Sequence, residues 1–346
     1  MTDTIRIGSR GSQLALWQAN HIADALRAAG HAVEIEIIHT TGDRLAQPPE
    51  ASGGPGIDNI ASLAPLADGK GIFIKEIEEA LAAGRIDLAV HSLKDLPTAL
   101  DPRFTLAAIP LRADPRDAYV CPRQKALHTL PTGALVGTTS PRRRAQLLAL
   151  RPDLRFVELR GNIDTRLRKL GEGECNALVL AAAGLDRLGR TEWLRQRFTI
   201  EEICPAPGQG ALALETRAPG YTPSTGPSTS GPTRDDSIRQ AVATLDHPET
   251  RFSVEAERVV LDALGGGCQL PVGVHCAPIH DVADPIPDAG APIAWHIQAQ
   301  VVAPDGERMI CLSMEVAAGI TARALGLRVA EDLKSRGALD LLEQST

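Results

Sequence analysis

The stretch Thr4-Ile5-Arg6-Ile7-Gly8-Ser9-Arg10-Gly11-Ser12 reads as a short strand running into a tight turn, and with the next 25 residues it decides the fold. Leu16, Ala19, Ala23 and Leu26 recur at helical spacing until Gly30, so they share one face of a helix. Val33, Ile35 and Ile37 then alternate with Glu34 and Glu36, the period of a strand with one buried face. Strand, helix, strand in that order opens an α/β domain with a largely parallel sheet.

Working outward, residues 47 to 68 are rich in Pro, Gly and Ala without periodicity, which predicts a long surface loop. A helix is expected over 75–84 and a short buried strand over 87–90, leaving His91-Ser92-Leu93-Lys94-Asp95 at its carboxyl end. A second α/β block runs from about 114 to 205, with strands expected at 134–137, 155–159 and 177–181. Ser140-Pro141-Arg142 marks a helix start there, Ser being a good N-cap and Pro favoured at the first helical position. Residues 218–233 have linker composition. Beyond them a helix at 249–264, strands near 272–275, 295–302 and 309–314, and a helix at 321–335 predict a small α+β domain. The expected division is therefore 1–110 with 206–217, 111–205, a linker at 218–234, and 235–346.

A chain of 346 residues exceeds what one core usually organises. Its hydrophobic fraction of 43% with 23% charged residues is that of a folded globular protein. The longest clean apolar stretch, Ala177 to Ala183, is too short to span a bilayer, and Met1-Thr2-Asp3-Thr4 lacks a basic start before an apolar run. A cytoplasmic protein is expected. Six cysteines without a Cys-x-x-Cys pair read as reduced thiols, with no zinc site suggested.

The net charge is −7, yet residues 140 to 170 hold nine Arg or Lys against three Asp or Glu. In open α/β sheets ligands bind beyond the carboxyl ends of the strands, where helix N-termini present free N–H groups. Those turns carry Arg10 and Ser12; Ser92, Lys94 and Asp95; Ser140, Arg142 and Arg143; Arg160, Asn162 and Arg166; and Arg187. Arginine makes paired contacts with carboxylates, so the array suits a small molecule bearing several of them. Nucleic acid is disfavoured by the acidic total and the missing aromatic stacking pattern. Asp95 is a candidate to stabilise a cation and pass protons. Cys268, after Gly265-Gly266-Gly267, reads as an exposed, reactive thiol. The other five cysteines read as inert, buried small hydrophobes, and His91 as a hydrogen-bonded structural residue.

Taken together, the stretches 9–18, 69–76, 89–97, 114–118, 159–162, 207–210 and the Gly-Gly-Cys-Gln loop ending at Gln269 resemble the porphobilinogen deaminase (hydroxymethylbilane synthase) family along almost the whole chain. The resemblance implies two α/β domains similar to type II periplasmic binding proteins, with the site in the cleft between them, and a small C-terminal α+β domain. It implies a transferase carrying a dipyrromethane cofactor attached by a thioether at Cys268. Four porphobilinogen molecules are added in turn, ammonia leaves at each step, and hydroxymethylbilane is released.

Asp95 is then the catalytic carboxylate that stabilises the azafulvene cation. Arg10, Ser12, Lys94, Ser140, Arg142, Arg143, Arg160, Arg166 and Arg187 hold acetate and propionate groups of the cofactor, and Arg10, Ser12, Phe73, Arg160 and Arg166 bind substrate. A monomer without nucleic-acid or membrane partners is implied. Residues 47–68 are longer than the family's usual segment, Pro141 stands where Leu is usual, Gly11 where Gln is common, and 218–233 looks inserted. A non-enzymatic anion-binding protein of the periplasmic type is the competing reading. Asp95 and Cys268 together separate the two.

Overall fold

The computed structural model describes residues 4–40, 71–221, 234–267, 269–280 and 292–343, without the side chains of 71–73. By its internal contacts the chain forms two units: residues 1–91, 95–109 and 212–246 in the first, and 92–94, 110–211 and 247–346 in the second.

In the first unit β1 (Ile5–Ser9), α1 (Gln13–Ala28) and β2 (Val33–Ile37) realise the strand, helix, strand expectation. Ser12 caps α1, its hydroxyl accepting from the Ala15 N–H. Ala19, Ile22, Ala23 and Leu26 bury one face of the helix against Ile5, Ile7 and Val33, each large aliphatic side chain contributing about 1.5–3 kcal/mol of transfer free energy. α2 (Gly71–Ala82) leads into β3 (Leu88–Ser92), and β4 (Phe104–Ala108) follows. β10 (Leu212–Arg217) completes a sheet of order β2-β1-β3-β10-β4, with β4 antiparallel to β10. α6 (Arg234–Ala243) lies past the linker composition, yet Ile238, Ala241 and Val242 enter this same core. Its apolar face is satisfied here, so the first sheet's unit extends to residue 246, whereas the sequence pattern assigns 235 onward to the C-terminal domain.

The second unit contains β5 (Asp117–Val120), β6 (Leu135–Gly137), α3 (Pro141–Leu150), β7 (Arg155–Val157), α4 (Ile163–Gly171), β8 (Ala177–Ala181), α5 (Ala182–Leu188) and β9 (Leu194–Arg197). The sheet order is β7-β6-β8-β5-β9, with β6 parallel to β7 and β8, and β5 antiparallel to β8 and β9. The two sheets thus repeat one plan: second, first, third, then a strand that enters after the chain has left the other sheet, then the fourth. Two α/β halves of this topology are what the resemblance implies.

The same unit holds α7 (Pro248–Ala263), β11 (Val272–Ile279), β12 (Ala294–Val302), β13 (Met309–Ala317), α8 (Ala322–Ser335) and α9 (Ala338–Glu343). The strands form an antiparallel sheet, β11-β12-β13. Val260, Val274, Ile297, Val301, Leu325 and Val329 make its core. β12 is also held from the segment before residue 205, Gln298 and Gln300 donating to the Ile200 and Glu201 carbonyls. β13 is the outer strand and alternates toward solvent, which leaves Cys311 exposed while Cys121, Cys175, Cys204 and Cys276 are buried. The expectation of five buried inert thiols holds for those four and not for Cys311.

Candidate active site

β1 and β3 are parallel neighbours, so their carboxyl ends lie on one edge of the first sheet. β1 hands over to Arg10 and Ser12, and β3 to a single 3-10 turn, Leu93–Asp95. Asp95 is exposed, Arg10 and Ser12 half-buried. Below that turn His91 Nε2 sits 3.0 Å from Glu215 Oε2, both buried, in line with a structural histidine. Phe73 lies in α2, and its side chain is outside the described residues, as is the 47–68 segment.

In the second unit β7, β6 and β8 are adjacent and parallel. Beyond their carboxyl ends come Arg160 and Asn162, with Arg166 inside α4, after β7; Ser140, Arg142 and Arg143 after β6; and Arg187, in the last turn of α5, after β8. Ser140 caps α3, accepting from the Arg143 N–H, with Pro141 in the first turn, as the sequence predicts. Asn162 caps α4 and accepts from Thr165 N–H at 2.8 Å. Two helix N-termini therefore point positive ends toward the same edge. The Arg160 side chain is 87% exposed, 3.4 Å from Glu158. Arg187 donates to the Gly210 carbonyl at 2.8 Å, and burial pushes its pKa down to about 10, which leaves it charged at neutral pH.

Arg142 and Arg143, expected to hold carboxylates of the cofactor, make internal bonds in the structure. Both are buried, and their guanidinium groups are spent inside the protein. Arg142 donates to the Cys204 carbonyl at 2.6 Å and to Asp117 Oδ2 at 2.7 Å. Arg143 donates to Asp117 Oδ1 through Nη2 at 2.7 Å and Nε at 3.0 Å. Burial pushes the Asp117 carboxyl up, but the charges of Arg142 and Arg143 and their bonds hold it well below the usual range. Gln209, fully buried, joins this cluster: its Nε2 donates to Pro115 O and Asp117 Oδ1, and its Oε1 accepts from Lys94 Nζ at 3.2 Å and Arg143 Nη2 at 3.3 Å. Lys94 is thereby tied into the second unit. Next to Gln209, Gly210 has φ +90°, and a Cβ there would sit 2.5 Å from the Ala113 carbonyl oxygen, so only glycine fits.

Sequence reasoning does not single out Asp117, Gln209 or Glu257. Asp117 and Gln209 lie inside the family-like stretches 114–118 and 207–210, so motif membership is the available signal. Glu257 offers none. It is fully buried on α7, accepting from Arg112 Nη1 at 2.6 Å and Nη2 at 3.1 Å, from Gly208 N–H at 2.7 Å and from Cys276 N–H at 2.8 Å. It ties the segments that precede β5 and β10 to the C-terminal sheet. Cys268 lies outside the described residues. The three residues before it, Gly265, Gly266 and Gly267, all take positive φ, +111°, +64° and +101°, a run that side chains with a Cβ would resist.

Residues 5–221 match the family model described as "Porphobilinogen deaminase, dipyromethane cofactor binding domain". The chain belongs to the porphobilinogen deaminase family. Residues 251–335 match that family's C-terminal domain model, so the antiparallel sheet is part of the family's architecture. The porphobilinogen deaminase of Mycolicibacterium gilvum is 43% identical over 342 residues, covering 98% of each chain. That of Mycobacterium tuberculosis is 44% identical over 340 residues, again 98% of each. That of Roseiflexus castenholzii is 47% identical over 275 residues, 79% of this chain and 81% of the relative. Among solved structures, a TRAP periplasmic solute binding protein from Desulfovibrio salexigens aligns with a TM-score of 0.39 at 11% identity, over 73% of this chain and 75% of that one.

Proposed function

We propose that this chain condenses four porphobilinogen molecules head to tail on a dipyrromethane carried by Cys268, releasing one ammonia per addition and finally, by hydrolysis with one water, hydroxymethylbilane. The observation that carries the reading is the alignment of cationic and helix-capping residues along the carboxyl ends of β6, β7 and β8, in a chain of the porphobilinogen deaminase family. A dipyrromethane bears acetate and propionate groups, and such an edge suits them: Ser140 and Asn162 sit at helix N-termini, Arg160 is open and Arg187 stays charged. The left-handed glycine run before Cys268 suits a thiol that must approach a bulky ligand closely. Bound there, the dipyrromethane would supply the free pyrrole carbon to which the first unit is joined, each later unit joining the one before it.

Within this reading Ser140, Arg160, Arg166, Arg187, Arg10, Ser12 and Lys94 hold carboxylates, with Arg10, Ser12, Phe73, Arg160 and Arg166 serving the incoming substrate. Arg142 and Arg143 contribute differently. Two guanidinium groups against the single carboxylate of Asp117 leave a net positive charge behind the α3 N-terminus, so they act through field and positioning. Asp95 is assigned to stabilise the positive charge that develops on porphobilinogen as ammonia leaves, a charge worth most to an enzyme when the stabilising group is already in place.

A cytoplasmic monomer without nucleic-acid partners goes with this function. The net charge of −7 opposes a polyanion, and among the described residues no helix is long and apolar enough to cross a membrane. The binding-protein alternative gives no role to the C-terminal sheet or Cys268. The test is incubation of the purified protein with porphobilinogen. Release of one ammonia per porphobilinogen consumed, with a linear tetrapyrrole as product, supports the reading; retention of unchanged porphobilinogen refutes it.

A further inference from the structure

Strands β3 and β10 are neighbours in the first sheet, and across them runs a buried contact that the proposed chemistry leaves unused. His91 is 7% exposed and Glu215 0%, with Nε2 and Oε2 3.0 Å apart. The other carboxylate oxygen, Glu215 Oε1, is buried and has no hydrogen-bond partner among the described residues. An under-satisfied buried carboxylate is costly, and a well-packed apolar pair of the same volume is as stable or more so. Stability therefore does not account for this pair, and its place in the fold suggests another role. His91 lies on the strand that runs directly into the Leu93–Asp95 turn, four residues ahead of Asp95. Any shift of β3 against β10 is carried into that turn.

We propose that the His91–Glu215 contact positions Asp95 for the condensation of porphobilinogen, a functional reading on which this inference rests. His91 and Glu215 are positioning residues, acting through the turn and not on the substrate.

The test uses cofactor-loaded wild type, His91→Gln and Glu215→Gln, with kcat and KM for porphobilinogen measured at neutral pH and amide exchange read at residues 93–95. Both variants are expected to lower kcat by about tenfold to a hundredfold, the scale of a displaced catalytic group, with KM little changed and faster exchange at 93–95. A kcat equal to the wild type's, or a drop that vanishes when scaled to the cofactor-loaded fraction, overturns the proposal. A wild type that leaves porphobilinogen untouched refutes the functional reading instead. The exchange arm still decides the positioning claim, and unchanged exchange in both His91→Gln and Glu215→Gln overturns it.

Discussion

Replacing Asp117 by Asn keeps the side chain's shape and removes the one countercharge shared by two buried guanidinium groups. Asp117 is 0% exposed and accepts from Arg142 Nη2, from Arg143 Nη2 and Nε, and from Gln209 Nε2, all within 3.0 Å. The amide retains one acceptor and turns an NH2 toward a cation. Breaking a buried pair costs about 3–5 kcal/mol because the remaining charge is stranded, and two stranded guanidinium groups place this variant at the upper end. At roughly 2–4 °C per kcal/mol for a unit of this size, the Tm of the second unit should fall by roughly 10–20 °C. The control is Glu172→Gln, which removes a bond just as short, 2.6 Å to Arg168, but between side chains 49% and 60% exposed. Exposed helix pairs of that spacing contribute about 0.3–0.5 kcal/mol, so its Tm should barely move. Both are read by scanning calorimetry and urea denaturation at neutral pH. An Asp117→Asn protein that melts with the control would refute the reasoning, since burial would then add nothing to the pair.

Three further outcomes are expected. Asp114 is held at about 2, burial pushing it up but the bonds from Arg116 and the charges of Arg116 and Arg197 outweighing it. A depressed carboxyl gives stability that is present above its ordinary value of 3.8 and lost as pH falls toward 2. Asp114→Asn should therefore be about 1 kcal/mol weaker at pH 6, after allowance for solvent screening, with the urea midpoints converging in acid. Glu257→Gln, which leaves Arg112 without its countercharge, should cost about 3 kcal/mol or more by urea denaturation. Arg160→Ala removes an open side chain, so stability should stay within about 0.5 kcal/mol. The KM for porphobilinogen should rise roughly tenfold or more in steady-state assays, the size of one lost charged hydrogen bond.

Where patterning and burial agree, the fold is legible in the sequence. Leu16 to Leu26 on α1, the Ser140-Pro141 helix start and the three strands of the C-terminal sheet all come from periodicity and capping. β10 is not legible, because all six of its residues are buried although Glu215, Thr216 and Arg217 are polar. Their partners, among them His91 and Asp235, lie far away in sequence, so no local pattern announces a buried strand. α6 is misplaced by the sequence pattern for a related reason: only contact with β4 and β10 reveals where Ile238 and Val242 are buried. At the site, the strand-end residues can be chosen from position alone. The internal commitment of Arg142 and Arg143 cannot, since it depends on Asp117 arriving from an antiparallel strand.

The central claim is that a two-pyrrole cofactor is bound covalently through Cys268. Intact mass under denaturing conditions, for wild type and for Cys268→Ser, tests it most directly. The account predicts a wild-type mass that exceeds the sequence by two linked pyrrole units and a variant at its bare sequence mass. A wild type that remains bare after incubation with porphobilinogen, or an adduct of the same mass on the Cys268→Ser protein, would contradict it.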